Sequence, residues 1–164
     1  HVLAAPLVEQ TGRTLRDLAR DWLGEPLGIR IPDWPRDPQG VHFGGNDMRI
    51  SPRALARFGE MIRQDGRFDG KRVLPEAWIR RSWQPRGVSR YNDDGYGYGW
   101  FVTELNGYKA YYGWGYGGQL LYIVPERALT VVITSDPTPP SPGSAYPDRL
   151  ETVIAEEVLP ALQQ

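Results

Sequence analysis

The sequence predicts an α+β fold in which helices pack an antiparallel meander sheet. Three observations lead to this prediction. Apolar residues recur at helical spacing near both ends of the chain, whereas residues 96–134 are rich in aromatic and β-branched side chains. Asn106-Gly107, between two such segments, is a strong signal for a two-residue hairpin turn. We therefore expect a sheet with helices on one face and with two unpaired edges.

The first 24 residues predict two helices. Residues 2–10 carry apolar side chains at helical spacing and are followed by a Thr-Gly stop signal. Thr14 and Asp17 resemble a capping box that opens the second helix, which should end near Gly24 because Pro26 cannot continue it. Two helices are thus expected to precede the next segment.

The middle of the chain combines an irregular segment with the clearest helix. Residues 26–45 are rich in Pro and Gly but carry apolar residues at intervals, which indicates a packed irregular segment rather than a linker. Ser51-Pro52 is an N-cap with Pro at the first helical position, and helical spacing then continues to Gly66. A shorter helix is expected to begin at Pro75.

Four strands are predicted after a polar loop at 86–95. They cover residues 96–105, 108–114, 119–124 and 128–134. The second and third could also be one strand interrupted by glycines. A Pro- and Ser-rich loop at 136–147 then leads to an amphipathic closing helix that begins near Leu150.

Length and composition indicate one globular domain and exclude several classes of function. The chain has 164 residues, 40% of them hydrophobic, which suits a single domain. With 19 basic and 20 acidic residues the net charge is -1, so we expect no nucleic-acid partner. No apolar run is long enough for a membrane span. Cysteine is absent and there are two histidines, so we expect no metal site and no cofactor.

The start of the chain suggests a piece of a longer protein. The first residue is His1 rather than Met, and no capping residue precedes the first helix. We expect residues 1–164 to form a single incomplete domain. A targeting signal would lie upstream, so the compartment stays open.

The residues taken alone contain no complete set for nucleophilic catalysis. None of the six serines has Lys three residues later or lies in a Gly-x-Ser-x-Gly turn. The adjacent carboxylates of Asp93 and Asp94 are typical of a turn, and those of Glu156 and Glu157 of a solvated helix face. His42, beside two glycines, is more typical of a surface loop residue.

A cluster of glycines and aromatic residues at 108–119 is the unusual feature of this sequence. Glycine weakens a strand unless another backbone or a ligand must come close, and uncovered backbone amides are what an oxyanion hole requires. A glycine-rich bulge with an aromatic core explains the same pattern, so both interpretations stay open. The many Trp and Tyr residues also allow an alternative function, an aromatic-lined module that binds carbohydrates or peptides.

Six segments, taken in order, resemble the C-terminal half of a beta-lactamase-like serine hydrolase. They are LGEPLGI (23–29), GG (44–45), SPRALARFG (51–59), DGKRVLPEAW (69–78), YGYGW (96–100) and GYGGQ (115–119). The resemblance extends from residue 2 to about residue 136 and is to the group of class C beta-lactamases, esterases and 6-aminohexanoate-dimer hydrolases. It implies an active site built from three motifs: Ser-x-x-Lys, Tyr-x-Asn and a Lys-Thr-Gly-like triplet.

The chain contains neither of the first two motifs, and its third is altered. Gly113 takes the place of the family's Lys or His, and Trp114 that of Thr. Since the cationic or polar residue helps to hold the carboxylate of a beta-lactam, the resemblance favours an ester or a linear amide as the small-molecule substrate.

The resemblance also implies roles for individual residues. The backbone amide of Tyr116 would be the second donor of the oxyanion hole, and the side chains of Trp114 and Tyr116 would line an apolar acyl pocket. The implied substrate-binding residues are Gly113, Trp114, Gly115, Gly117, Gly45 and Asn46.

We therefore expect a C-terminal fragment of a serine hydrolase that lacks the nucleophile and is inactive by itself. Its expected partners are the substrate and the N-terminal part of the same protein. Self-association through an exposed sheet edge is a further expectation.

Overall fold

The computed structural model describes residues 2–138 and 145–162 of the chain. It divides into two compact units, His1–Phe58 and Gly59–Gln164. The single incomplete domain expected for residues 1–164 stays a prediction, and the two units are described in turn.

The first unit opens with helices that continue further than expected. They are α1 (Ala4–Thr11), α2 (Leu15–Ala19), a π-helical segment (Arg20–Gly24) and α3 (Glu25–Leu27). Thr14 caps α2 as predicted, because its side chain accepts a hydrogen bond from the Asp17 amide. The predicted end near Gly24 is wrong. Pro26 lies in the first turn of α3, where a missing N–H costs no helical hydrogen bond, and the helix ends at Gly28 with φ 59°.

The irregular segment that follows is packed, as predicted. The side chains of Ile31, Trp34 and His42 are buried, and an isolated bridge joins Arg36 to His42. The expectation of a surface position for His42 is wrong, since its side chain is only 1% exposed. Its ring packs against Trp34 and its Nε2 atom lies 2.8 Å from Asp33 Oδ1, so burial is compensated by a hydrogen bond.

Helix α4 (Pro52–Arg63) crosses the boundary between the units, and Ser51 caps it as predicted. The second unit continues with a short ribbon of β1 (Arg67–Phe68) and β2 (Lys71–Arg72), and with helix α5 (Glu76–Ser82). The predicted short helix after Pro75 is therefore confirmed.

The predicted meander is present as an antiparallel sheet whose strands follow chain order. In the described part of the chain the strands are β3 (Gly87–Val88), β4 (Gly95–Tyr96), β5 (Phe101–Leu105), β6 (Tyr108–Gly115), β7 (Gln119–Val124) and β8 (Leu129–Ile133). The predicted strand at 96–105 is interrupted, because Gly97 lies against the carbonyl oxygen of Ser82. A turn at 116–118 separates β6 from β7, so the alternative of one interrupted strand is wrong.

The closing helix consists of α6 (Ala145–Val153), a π-helical segment (Ile154–Val158) and α7 (Leu159–Ala161). It packs on one sheet face, in a core of Leu105, Ala110, Tyr112, Leu120, Tyr122, Val124, Ile154 and Leu159. The other face is not bare. Leu121 and Thr130 lie against Gly59 of α4, so helices pack both faces and the expectation of one covered face is wrong. Part of the predicted loop at 136–147 lies outside the described residues.

The sheet ends in β3 on one side and β8 on the other. Within residues 2–138 and 145–162, neither strand has a partner on its outer side. No helix in the same residues is long and apolar enough to cross a membrane.

Candidate functional site

The altered third motif, Gly113-Trp114-Gly115, forms the C-terminal end of β6, and a turn follows it directly. Gly115 pairs with Gln119 at the end of the ladder, and Tyr116, Gly117 and Gly118 form the turn. Gly117 and Gly118 have φ of 74° and 82°, a backbone conformation that residues with a side chain rarely adopt. The glycine cluster therefore forms a tight turn rather than a bulge.

This turn is held against the residues that follow β8. The Ser135 hydroxyl donates a hydrogen bond to the Gly118 carbonyl at 3.2 Å, and the Gln119 side-chain amide donates one to the Ser135 carbonyl at 2.6 Å. A side chain on Gly117 would come within 2.9 Å of Pro137. The position of the turn is thus fixed by contacts on two sides.

Tyr116 lies at the first position of this turn. Its side chain is 71% exposed. No acceptor for its backbone N–H is present among the residues that the structure describes. A backbone amide that is fixed in place and free to donate is the feature that an anion-binding position requires.

The three residues before Tyr116 present different chemistry on the two sheet faces. Side chains alternate along a strand, so Trp114 points to the same face as Tyr112, while Gly113 and Gly115 face the other way. A side-chain carbon added at Gly113 would meet nothing within 4 Å. Among the residues that the structure describes, the space above Gly113 itself is therefore open.

A cavity of about 100 Å³ lies beside Trp114, on the face of the closing helix. Its lining residues are Asn92, Asp94, Tyr112, Trp114, Tyr122, Asp148 and Glu151. Tyr116 does not belong to the lining of this cavity, and the apolar pocket expected for Trp114 and Tyr116 stays a prediction. In the described part of the chain, the wall of the cavity has carboxylates and aromatic rings but no basic side chain.

Hydrogen bonds connect the polar groups of this cavity. The Tyr112 hydroxyl donates to Asp94 Oδ2 at 2.6 Å, and the Tyr122 hydroxyl donates to Glu151 Oε2 at 2.7 Å. The two tyrosine rings stack with centroids 4.6 Å apart. Asn92 donates to Asp94, but its Oδ1 atom is buried without a partner among the described residues.

Burial changes the acid strength of three of these groups. It raises the pKa of the Glu151 carboxyl, and it raises the pKa values of the Tyr112 and Tyr122 hydroxyls, each of which also faces a carboxylate. Both tyrosines are therefore neutral donors at neutral pH. No group of His, Asp or Glu side chains in the described ranges is arranged to hold a metal ion.

The two remaining predicted residues lie in the first unit. Gly45 and Asn46 are exposed in a bend, where the Asn46 side-chain amide donates to Asp47 Oδ2 at 2.8 Å. Asp47 has φ of 62°, so this bend is tight.

Sequence patterns do not identify the cavity residues other than Trp114. The pattern around Asp94 is typical of a turn, and none singles out Tyr122 or Glu151. The alternation of Tyr112 with Trp114 on one strand is the only available signal. The cavity joins segments far apart in the chain, and their register cannot be read from one sequence.

Comparison with known proteins places these features in context. The family model for Beta-lactamase matches residues 1–156. A Bacillus anthracis protein described as a 6-aminohexanoate-dimer hydrolase has a similar structure, with a TM-score of 0.70 at 20% identity over 99% of this chain and 43% of that one. No protein of curated function matches the sequence significantly.

Two further solved structures are similar to this chain. A Bacteroides dorei protein described as a beta-lactamase has a TM-score of 0.67 at 16% identity, over 94% of this chain and 53% of its own. A penicillin-binding protein homolog from Caulobacter crescentus has a TM-score of 0.56 at 19% identity, over 77% of this chain and 48% of its own. The chain thus spans about half the length of these proteins. At such identities the likeness shows a shared fold.

Proposed function

Because the chain belongs to the Beta-lactamase family, we propose that it is the C-terminal part of a serine hydrolase acting on ester or amide bonds. Its role in this proposal is to supply one oxyanion-hole donor and part of the substrate pocket. The attacking serine and its base would come from residues outside this sequence, since no Ser-x-x-Lys occurs within it.

The backbone amide of Tyr116, which has no acceptor among the described residues, is the observation that carries this proposal. A tetrahedral intermediate places negative charge on the former carbonyl oxygen, and a fixed N–H donor stabilises that charge without reorganising. The turn holds Tyr116 in place through Gly117 and the contacts of Ser135 with Gly118. One such donor contributes about 3 kcal/mol to the transition state.

The open face at Gly113 supports the proposed preference for esters and linear amides. A Lys or His at this position would offer a cation to a substrate carboxylate, whereas glycine offers none. In the proposal Gly113, Gly115 and Gly117 let the substrate approach the strand backbone closely. The Trp114 side chain points to the other sheet face, so the roles that the resemblance implies for Trp114, Gly45 and Asn46 stay predictions.

The proposal includes two partners besides a small ester or amide substrate. The N-terminal part of the same protein would supply the nucleophile, and strand β8 has no neighbour on its outer side in the described part of the chain. An unpaired strand offers backbone groups to any further strand. In the isolated chain, a second copy would compete for the same edge.

A fluorophosphonate probe tests whether the nucleophilic serine lies outside this chain, as the proposal requires. The probe reacts covalently with activated serines, so the 164-residue chain should remain unlabelled and should not cleave a chromogenic ester. The full-length protein that contains this sequence should be labelled stoichiometrically and should cleave the ester. Rapid stoichiometric labelling of the short chain would show that the nucleophile lies within it and would contradict the proposal.

A further inference from the structure

An exposed cluster in the second unit combines two aromatic rings with two arginines. Trp78 and Tyr98 stack with centroids 5.5 Å apart and planes inclined by 25°, and each residue remains 45% exposed. The guanidinium carbons of Arg81 and Arg86 lie over the Tyr98 ring, at 5.9 and 5.4 Å from its centroid. We call these four residues the Tyr98 patch.

The backbone fixes the position of the patch. Gly97 packs so closely on the end of α5 that a side-chain carbon there would lie 2.2 Å from the Ser82 carbonyl oxygen. The amide of Tyr98 donates a hydrogen bond to the same oxygen at 3.1 Å. Tyr98 is therefore held beside the helix that carries Trp78 and Arg81, so the rings are aligned before any ligand arrives.

The two arginines of the patch have no acidic partner among the described residues. The neighbouring Arg80, in contrast, pairs with Glu76 at 2.7 Å. Guanidinium groups bind carboxylates through paired, charge-assisted hydrogen bonds. Within the described residues, the patch thus offers two arginines without an acidic partner near the partly exposed ring of Trp78.

We propose that the Tyr98 patch binds a carboxylate-bearing sugar, in a uronate-containing oligosaccharide. A pyranose ring presents an apolar C–H face that stacks on an aromatic ring, and the carboxylate of a uronate lies at the edge of that ring. An oligosaccharide of several uronate residues can therefore place one sugar ring on the exposed Trp78 ring and the carboxylate of another on an arginine. This binding site is separate from the Tyr116 turn and does not depend on the proposed hydrolase activity.

A sugar fits this surface better than an acidic peptide does. A peptide that extends a sheet edge needs free backbone groups on the protein. The amides of Arg86, Gly97 and Tyr98 already donate to Tyr96, Trp100 and Ser82. The groups of the patch that can still contact a ligand are therefore its aromatic rings and its arginine side chains.

Isothermal titration calorimetry of the whole chain with tetragalacturonate tests the proposal. The fully methyl-esterified tetramer is the matched probe, because it keeps the sugar and loses the charge. We expect saturable binding of the acid form and at least about tenfold weaker binding of the ester. The Trp78→Ala variant and the double variant Arg81→Gln, Arg86→Gln should each bind the acid form about tenfold more weakly.

Two control variants separate a specific site from a general surface effect. Trp22→Ala removes a tryptophan that is 52% exposed in the first unit, and Arg80→Gln removes a paired arginine of α5. Both should bind within about twofold of the wild-type chain. The arginine double variant keeps the test decisive if Trp78→Ala fails to fold, as judged by thermal unfolding.

Three results would overturn the proposal. The first is no saturable binding of tetragalacturonate by the wild-type chain. The second is equal binding of the acid and the ester, or equal loss in the control variants. The third is saturable binding of an oligoglutamate peptide without binding of the sugar, which would assign the patch to an acidic peptide instead.

Discussion

At the scale of single residues, His42 shows how an irregular segment is held in one conformation. The centroid of its ring lies 4.4 Å from the ring centroid of Trp34, and its Nε2 atom hydrogen-bonds to Asp33 Oδ1. The hydrogen bond from His42, together with the charge of Arg36, lowers the pKa of the Asp33 carboxyl. Trp34 in turn donates to the Phe43 carbonyl at 2.9 Å. Buried side chains therefore stabilise this segment, as regular backbone hydrogen bonding stabilises a helix.

Replacing His42 by Ala should destabilise the chain substantially. The change opens a cavity beside Trp34 and removes a hydrogen bond, which together cost about 3 kcal/mol. Urea unfolding followed by tryptophan fluorescence measures the loss. Asp33→Asn is the control, because this side chain is mostly exposed and its amide can still accept a hydrogen bond. Equal effects of both variants would contradict a packing role for His42.

Gly113 of the third motif and Gly117 of the turn after it should respond differently to the same substitution. Gly113→Ala adds a methyl group to open space in a strand, so the free energy of unfolding should change by less than about 0.5 kcal/mol. Gly117→Ala strains a residue at φ 74° and brings a carbon to 2.9 Å from Pro137, which should cost about 1–3 kcal/mol. Thermal unfolding of the two variants compares them directly, and a cost at Gly113 as large as that at Gly117 would show that its face is covered.

At the scale of elements, local signals predicted those parts of the fold that depend on neighbours in sequence. Ser51-Pro52 marks the start of α4, and Asn106-Gly107 marks the turn between β5 and β6. The predicted bounds of an element were wrong where contacts between residues far apart in sequence determine where it ends. The strand expected at 96–105 breaks because Gly97 contacts Ser82. The end expected near Gly24 is wrong for a local reason, since Pro26 lies in the first turn of α3.

Gly97 should therefore tolerate no side chain. Gly97→Ala places a carbon 2.2 Å from the Ser82 carbonyl oxygen, and the backbone must move to relieve it, at a cost of about 2–4 kcal/mol. Gly87→Ala is the matched control, since nothing lies within 4 Å of its position. Chemical denaturation should show a large loss for the first variant and almost none for the second. The reverse order would contradict the described packing of β4 and α5.

At the scale of the whole molecule, the sequence predicted the fold class and the family but only part of the candidate site. Ordered motifs were enough for the first two, because they are local and occur in a fixed order. The role expected for Tyr116 came from its place directly after the third motif, and it stays a prediction. The cavity beside Trp114 was missed, since it depends on the register of β6 with β7 and on where Glu151 of the closing helix lies.

The outer edge of β8, which has no partner strand among the described residues, should affect the behaviour of the isolated chain. An edge of five residues offers free backbone groups to a second copy, so we expect the apparent mass in light scattering to rise with protein concentration. Adding the N-terminal part of the same protein should reduce this association. A constant monomer mass over the whole concentration range would contradict self-association through an edge.

The central claim is that the backbone N–H of Tyr116 stabilises the oxyanion of an acyl-transfer reaction. Steady-state hydrolysis of a chromogenic ester by the full-length protein tests it most directly, with Tyr116→Pro to remove the N–H and Tyr116→Ala to keep it. We predict that the proline variant lowers kcat by about 100- to 1,000-fold, while the alanine variant stays within about threefold of the wild-type value. Equal kcat values for the two folded variants would contradict the claim.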